Sequence, residues 1–197
     1  EIKHLPEIKT SVIIYQNLPL DIKRELEKNK IIRNQDFFLL SDPRKNGYLA
    51  RLWHLTNNES NFLKKLELNT SLEIFNLERI RNTIPDSSID LEKDKSFILN
   101  YNFDSLHAVS FQKGCYIGQE NTSRQNYRGK IKYKLKTLEL IEGVFPKLNE
   151  EIVVDEKKIG IMKSSVSKYA LALLRSDFSC QNKIFSIKDC QSKIKLI

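Results

Sequence analysis

Apolar and polar positions along this chain follow two rhythms, and the change comes at Arg128. Before it, short runs rich in β-branched and aromatic residues at 11–15, 36–41 and 48–53 read as strands. Residues 19–29 between the first two read as a helix: Pro19 suits a first turn, and Ile22 and Leu26, four apart, form one apolar face. Residues 59–68 and 71–84 also read as helices. In the second, Leu77, Ile80 and Ile84 fall near one face and Pro85 supplies the stop. Residues 86–94 are polar and loop-like, while Trp53 and the Phe37-Phe38 pair read as core.

After Arg128 the pattern is alternation. Ile131, Tyr133 and Leu135 share one face, and Leu138 and Leu140 fall on the opposite phase, as a bulge would require. Further short strands are expected at 151–155, 158–163, 168–175, 183–188 and 193–197. Many short strands separated by polar turns predict a closed or nearly closed antiparallel barrel. The expected fold class is α+β, followed by a small antiparallel β-barrel.

Composition narrows the classes. Of 197 residues, 40% are hydrophobic and 29% charged, so a packed core is affordable. No apolar run approaches the ~20 residues of a membrane span, and nothing at the start reads as a signal peptide. Cys115, Cys180 and Cys190 form no C-x-x-C pair, and their odd number argues against a disulfide framework. A reducing compartment, the cytoplasm, is the expectation. Cys180 and Cys190 read as packing residues. His4, His54 and His107 stand apart with no ligand spacing, and read as structural or surface groups.

The net charge of +8 concentrates locally in Arg124, Arg128, Lys130, Lys132, Lys134 and Lys136. From Arg128 the basic residues alternate, so a strand would carry them on one face. A solvated strand face is the favoured reading. A functional stripe would suit RNA or a polyglutamate tail, with Tyr127 and Tyr133 available for stacking, yet no RNA-binding signature accompanies it.

The densest chemistry lies in Lys113-Gly114-Cys115-Tyr116-Ile117-Gly118-Gln119-Glu120, followed by Arg124, Arg128 and Gly129. Gly114 and Gly118 permit positive φ or close approach to a ligand. The Cys115 thiol acts as nucleophile or ligand when ionised, a form favoured by a neighbouring ammonium such as Lys113 or by a helix N-terminus. A helix over 119–126 would aim its free N–H groups at the loop, and Gln119 and Glu120 could hydrogen-bond a heterocycle. The alternative is a buried cysteine in a tight turn.

This run resembles the K-G-C-Y-x-G-Q-E…R…R-G signature of YgfZ-type proteins, folate-binding iron–sulfur assembly factors related to the glycine cleavage T-protein. Asp42-Pro43-Arg44 with Gly47 and Arg51 resembles the family's D-P-R…G-x-R hairpin, and Arg79-Ile80 with Pro85 its R-I-x-x-G-x-P segment. Ile159-Gly160-Ile161 and Ala170 to Arg175 resemble its small barrel. Three departures stand out. Asn121-Thr122-Ser123-Arg124 replaces an apolar V-V-A-R, and Thr83 replaces the glycine of the R-I segment. Residues 98–104, with Leu99-Asn100-Tyr101, carry no glutamate where the family tends to place one.

The resemblance implies a T-protein-like folate-binding domain over 1–127, partial because family members carry a further N-terminal portion, and a barrel domain over 128–197. It implies a tetrahydrofolate-dependent auxiliary factor in iron–sulfur cluster assembly or repair, with indirect effects on tRNA modification, rather than a conventional enzyme. Cys115 would be the functional thiol and Lys113 would assist its ionisation. Gly114, Tyr116, Gly118, Gln119, Glu120, Arg124 and Arg128 would form its surroundings and the folate contacts. The partners implied are tetrahydrofolate or a derivative and iron–sulfur enzymes or assembly proteins. No stably bound cluster is expected, since such clusters usually want four thiolates. An aminomethyltransferase and a basic RNA-binding module are the competing readings.

Overall fold

The structure, a computed structural model, describes residues 8–33, 35, 37–45, 47–55, 71–129, 131–178, 184–187 and 191–197. The helix expected over 59–68, Lys130, His4, Cys180 and Cys190 lie outside the described residues. The chain forms two compact units, residues 1–72 and 73–197. Contacts thus group residues 73–127 with the barrel, whereas the sequence division after Tyr127 concerns family domains, a different quantity from compactness.

The first unit is a four-stranded antiparallel sheet in the order β1-β4-β3-β2, from β1 (Ile8–Ile14), β2 (Ile31–Arg33), β3 (Phe37–Ser41) and β4 (Leu49–Leu55). Helix α1 (Leu20–Asn29) starts after Pro19 and ends where Lys30 turns left-handed, its N–H donating to the Leu26 carbonyl. Leu26 joins Ile13, Tyr15, Phe37, Leu39, Ala50 and Leu52 in one core on that face of the sheet. Phe38 and Trp53, expected in a core, are instead 47% and 44% exposed. Successive strand residues point to opposite faces, so Phe37 and Phe38 cannot both turn inward. Trp53 pairs across with Phe38 and shares its outer face.

The hairpin between β3 and β4 is tied by one carboxylate. Asp42 is fully buried and accepts a bidentate pair from Arg44 and a bond from Arg51 Nε at 3.1 Å. Burial pushes the Asp42 carboxyl up, but the Arg44 hydrogen bonds and charge, joined by Arg51, hold it below its ordinary value.

The second unit contains a six-stranded antiparallel, nearly closed barrel in the order β6-β7-β8-β5-β10-β9. Its strands are β5 (Tyr133–Glu142), β6 (Glu151–Val154), β7 (Lys157–Val166), β8 (Tyr169–Arg175), β9 (Ile184–Ile187) and β10 (Ser192–Leu196). Leu138, Ile152, Met162, Ala170, Ala172, Leu174 and Ile194 fill the interior. The change of phase between Leu135 and Leu138 is no bulge, because β5 and β8 pair without a register break from Tyr133 to Glu139. Both faces of these strands are buried. Leu135, Leu171 and Leu173 turn outward and pack beneath Ile80 and Tyr101.

That outer layer comes from α2 (Leu72–Arg81) and the irregular segment after it. The helix stops before Ile84, where it was expected to end, because Thr83 adopts φ +58° and Pro85 follows. Arg79, only 3% exposed, bonds Asp90 at 3.0 Å and Ser164 Oγ at 3.0 Å. Asp90 also accepts the backbone N–H groups of Asp86 and Ser164, fastening this layer to β7.

Candidate functional site

The signature occupies an irregular loop, residues 111–118, leading into α3 (Gln119–Tyr127). Gly118 stands at the N-cap with φ +85°, a left-handed conformation that L side chains rarely adopt. Gly114 is not left-handed, and open space surrounds its Cα. Of the two glycines, only Gly118 takes the positive φ.

A reciprocal pair closes the turn. The Tyr116 N–H donates to Gln119 Oε1 at 3.2 Å, and the Gln119 N–H donates to the Tyr116 carbonyl at 3.1 Å. Gly118 accepts from the Thr122 hydroxyl at 3.1 Å. Cys115 sits on the N-terminal side of this clamp, exposed and with a free thiol, so the buried-cysteine alternative does not hold. The Lys113 ammonium lies 4.7 Å from the centre of the Tyr116 ring, a cation–π contact that orders the residues flanking Cys115. Ile117, next to the clamp, is fully exposed.

Two contacts absent from the sequence reading hold α3 in place. Gln125 Nε2 donates to Asn100 Oδ1 at 3.0 Å, and Phe111 meets Tyr127 edge-on at 5.9 Å. Asn100 lies in the stretch lacking the family glutamate, and here its amide supports the helix. The only sequence signal was its place in a segment expected to back the signature. Arg124 pairs with Glu120 at 2.8 Å along the exposed helix face. Arg128 caps α3, and its N–H and that of Gly129 both donate to the Arg124 carbonyl.

The stripe expected from Arg128 does not begin on a strand, because Arg128 caps α3 and β5 begins at Tyr133, while Lys134 and Lys136 occupy alternate positions of β5. Lys132 and Lys136 are exposed, whereas Lys134 is partly buried against Asp104 at 3.3 Å. Tyr116, Gly118, Gln119, Glu120, Asn121 and Arg124 line an open hollow of about 460 Å³. The Tyr116 hydroxyl oxygen is buried, with no hydrogen-bond partner among the described residues. Among those residues no group of three or more His, Cys, Asp and Glu converges on one point, and no helix is long and apolar enough to cross a membrane.

No family model matches the chain. It is similar to the mouse protein named iron-sulfur cluster assembly factor IBA57, mitochondrial: 31% identity over 146 residues, covering 71% of this chain and 40% of that protein. The human protein of the same name is 28% identical over 108 residues, covering 52% of this chain and 30% of its own length. The Dictyostelium discoideum homologue is 42% identical over 62 residues, or 32% and 15% of the two chains. The chain thus spans less than half the length of these relatives. Their names correct one expectation. All are mitochondrial, which overturns the cytoplasmic assignment. An odd number of cysteines with no C-x-x-C pair argues against a disulfide framework without separating one reducing compartment from another.

Proposed function

This chain is a homologue of the mitochondrial iron–sulfur cluster assembly factors named IBA57, and with them of the YgfZ-type proteins its signature resembles; on that premise we propose that it acts in iron–sulfur cluster assembly in mitochondria, through Cys115. The observation that carries the reading is the exposed Cys115 thiol, held beside the Tyr116–Gln119 clamp at the head of α3. An accessible thiol can, once deprotonated, ligate cluster iron, or exchange with a persulfide or a client disulfide to form a mixed disulfide with release of one thiolate. The cluster is cargo in this reading, and the partners are assembly proteins or iron–sulfur enzymes. Effects on tRNA modification would follow indirectly, through the enzymes that need clusters.

Tetrahydrofolate is the small molecule we assign to the hollow beside the clamp. Its lining fits in chemical kind: the Glu120 carboxylate accepts from an aminopyrimidine edge, Asn121 offers both donor and acceptor, and Arg124 suits a glutamate tail. The Tyr116 hydroxyl is buried without a partner among the described residues, and other atoms of the same residue help line the hollow. Residues 98–104 carry no glutamate, so Glu120 is the carboxylate assigned to that contact. Bound folate would supply a reduced pterin, while Gly118 and Gln119 keep the thiol loop in place beside it.

The test is rescue of iron–sulfur enzyme activity in mitochondria depleted of their own IBA57-type factor. The wild-type protein should restore activity and Cys115→Ser should not, with both folding alike by circular dichroism. Equal rescue by the two rejects the thiol. Rescue by neither rejects cluster assembly. Folate is tested separately by fluorescence titration with tetrahydrofolate: Glu120→Ala together with Arg124→Ala should weaken binding at least about tenfold.

A further inference from the structure

The β1-β4-β3-β2 sheet carries α1 on one face, and the register shows what the other face presents. Thr10 pairs with Trp53, Trp53 with Phe38 and Phe38 with Arg33, while Val12 pairs with Arg51, Arg51 with Leu40 and Leu40 with Ile31. Ile8, Val12, Ile31, Phe38 and Trp53 on this face are each 44–52% exposed. Scattered apolar exposure is ordinary, but five large side chains in register on one sheet form a contiguous patch, and such patches mark interaction sites.

The charges on the face are of one sign. Arg33 lies at its β2 edge and Arg51 beside Trp53, and none of these strand positions carries a carboxylate. Asp42 is buried and shared by Arg44 and Arg51, so that cluster keeps a net positive charge. Trp and Phe at the centre with Arg beside them is the composition of an interface core. The second face of an antiparallel sheet is commonly polar and left to solvent, so a large apolar patch there marks a surface that a partner covers.

We propose that this face is a docking surface for an acidic amphipathic helix of a partner protein. Apolar residues spaced three and four apart would lie over Trp53, Phe38 and Val12, and flanking carboxylates would meet Arg33 and Arg51. The proposal is independent of Cys115 and of the hollow beside α3.

Trp53 is the only tryptophan in the chain, so its emission reports on this face directly. The probe is a synthetic helical peptide of leucine, alanine and glutamate, titrated into the whole protein, with a lysine-for-glutamate version as control. Expected are a saturable blue shift with the acidic peptide, a loss of at least about fivefold in affinity in Arg33→Glu, and a gain for the lysine peptide in that variant. Phe38→Ala should weaken the acidic peptide as well. Absence of a saturable shift, or binding indifferent to charge sign and to Arg33→Glu, overturns the proposal. So does emission that reddens on dilution of the protein, which assigns the face to a second copy. Emission of the buried type, unmoved by dilution or peptide, assigns it to the chain itself and also overturns the proposal.

Discussion

Tyr116 and Gln119 hold each other through two hydrogen bonds, one from each backbone N–H, across the Ile117-Gly118 turn. One bond uses the Gln119 side chain, so its amide acts as a local brace. Gln119→Ala should cost about 0.5–1.5 kcal/mol, the net worth of one such bond, because the half-exposed Tyr116 N–H can turn to water. Hydrogen exchange at the Tyr116 amide should speed up while the barrel amides keep their protection. Equal loss of protection in both would mean the clamp supports the whole unit.

Gly118 carries the second constraint on that turn. At φ +85° any side chain is strained, although nothing lies within 4 Å of where a Cβ would stand. Gly118→Ala should therefore destabilise by about 1–2 kcal/mol through backbone conformation alone. Gly118→Asn should cost less, since Asn tolerates the left-handed region. Urea midpoints for the two variants decide the order.

Thr83 shows the same geometry where the family has glycine. Thr137 gives its one hydroxyl proton to the Ile80 carbonyl, so the 2.8 Å contact between the two threonines is donated by Thr83. That bond offsets the cost of φ +58° for a β-branched residue. Thr83→Ala keeps the strain and loses the bond, and should be about 1 kcal/mol less stable than wild type. Thr83→Gly loses both and should fall close to wild type. A glycine variant less stable than the alanine variant would refute the compensation.

These positions show what the sequence could and could not tell. Alternation after Arg128 was enough to find the barrel, because strand period survives in any context. It misassigned the Leu135–Leu138 phase change, since periodicity records burial without saying how many faces are buried. Phe38 and Trp53 were misread for a related reason: hydrophobicity gives no sign of which face has a covering layer. The three residues of β2 are too few for a pattern. The signature located the loop and the start of α3, because unusual residues in fixed order are a local signal. The Asn100–Gln125 contact joins residues 25 apart by tertiary packing, and only the fold reveals it.

Asp90 is fully buried and takes three donors: the Arg79 guanidinium and the backbone N–H groups of Asp86 and Ser164. Removing one member of a buried pair leaves the other uncompensated, so Asp90→Ala should destabilise the barrel unit by about 3–5 kcal/mol. Asp90→Asn should not rescue it, because a carboxamide must turn an NH₂ toward groups that already donate. Denaturation followed by a barrel-specific probe measures both.

Asp42 links the first unit to pH. Its folded pKa lies below the ordinary carboxylate value because Arg44 and Arg51 outweigh the cost of burial. A depressed folded pKa means that the unfolded chain takes up the proton first. The stabilisation is complete above the unfolded value of about 3.9 and is lost as pH falls through the folded value. Asp86 is lowered as well, chiefly by the Ser88 hydroxyl, and acts in the same direction on the second unit. Stability should therefore be flat through neutral pH and decline below about pH 4. In Asp42→Asn the decline in the first unit should be shallower, because the variant has no carboxylate there to protonate. Thermal melts from pH 3 to pH 7, with Trp53 reporting on the first unit, supply the comparison. An unchanged acid slope in the variant would remove Asp42 from the acid transition.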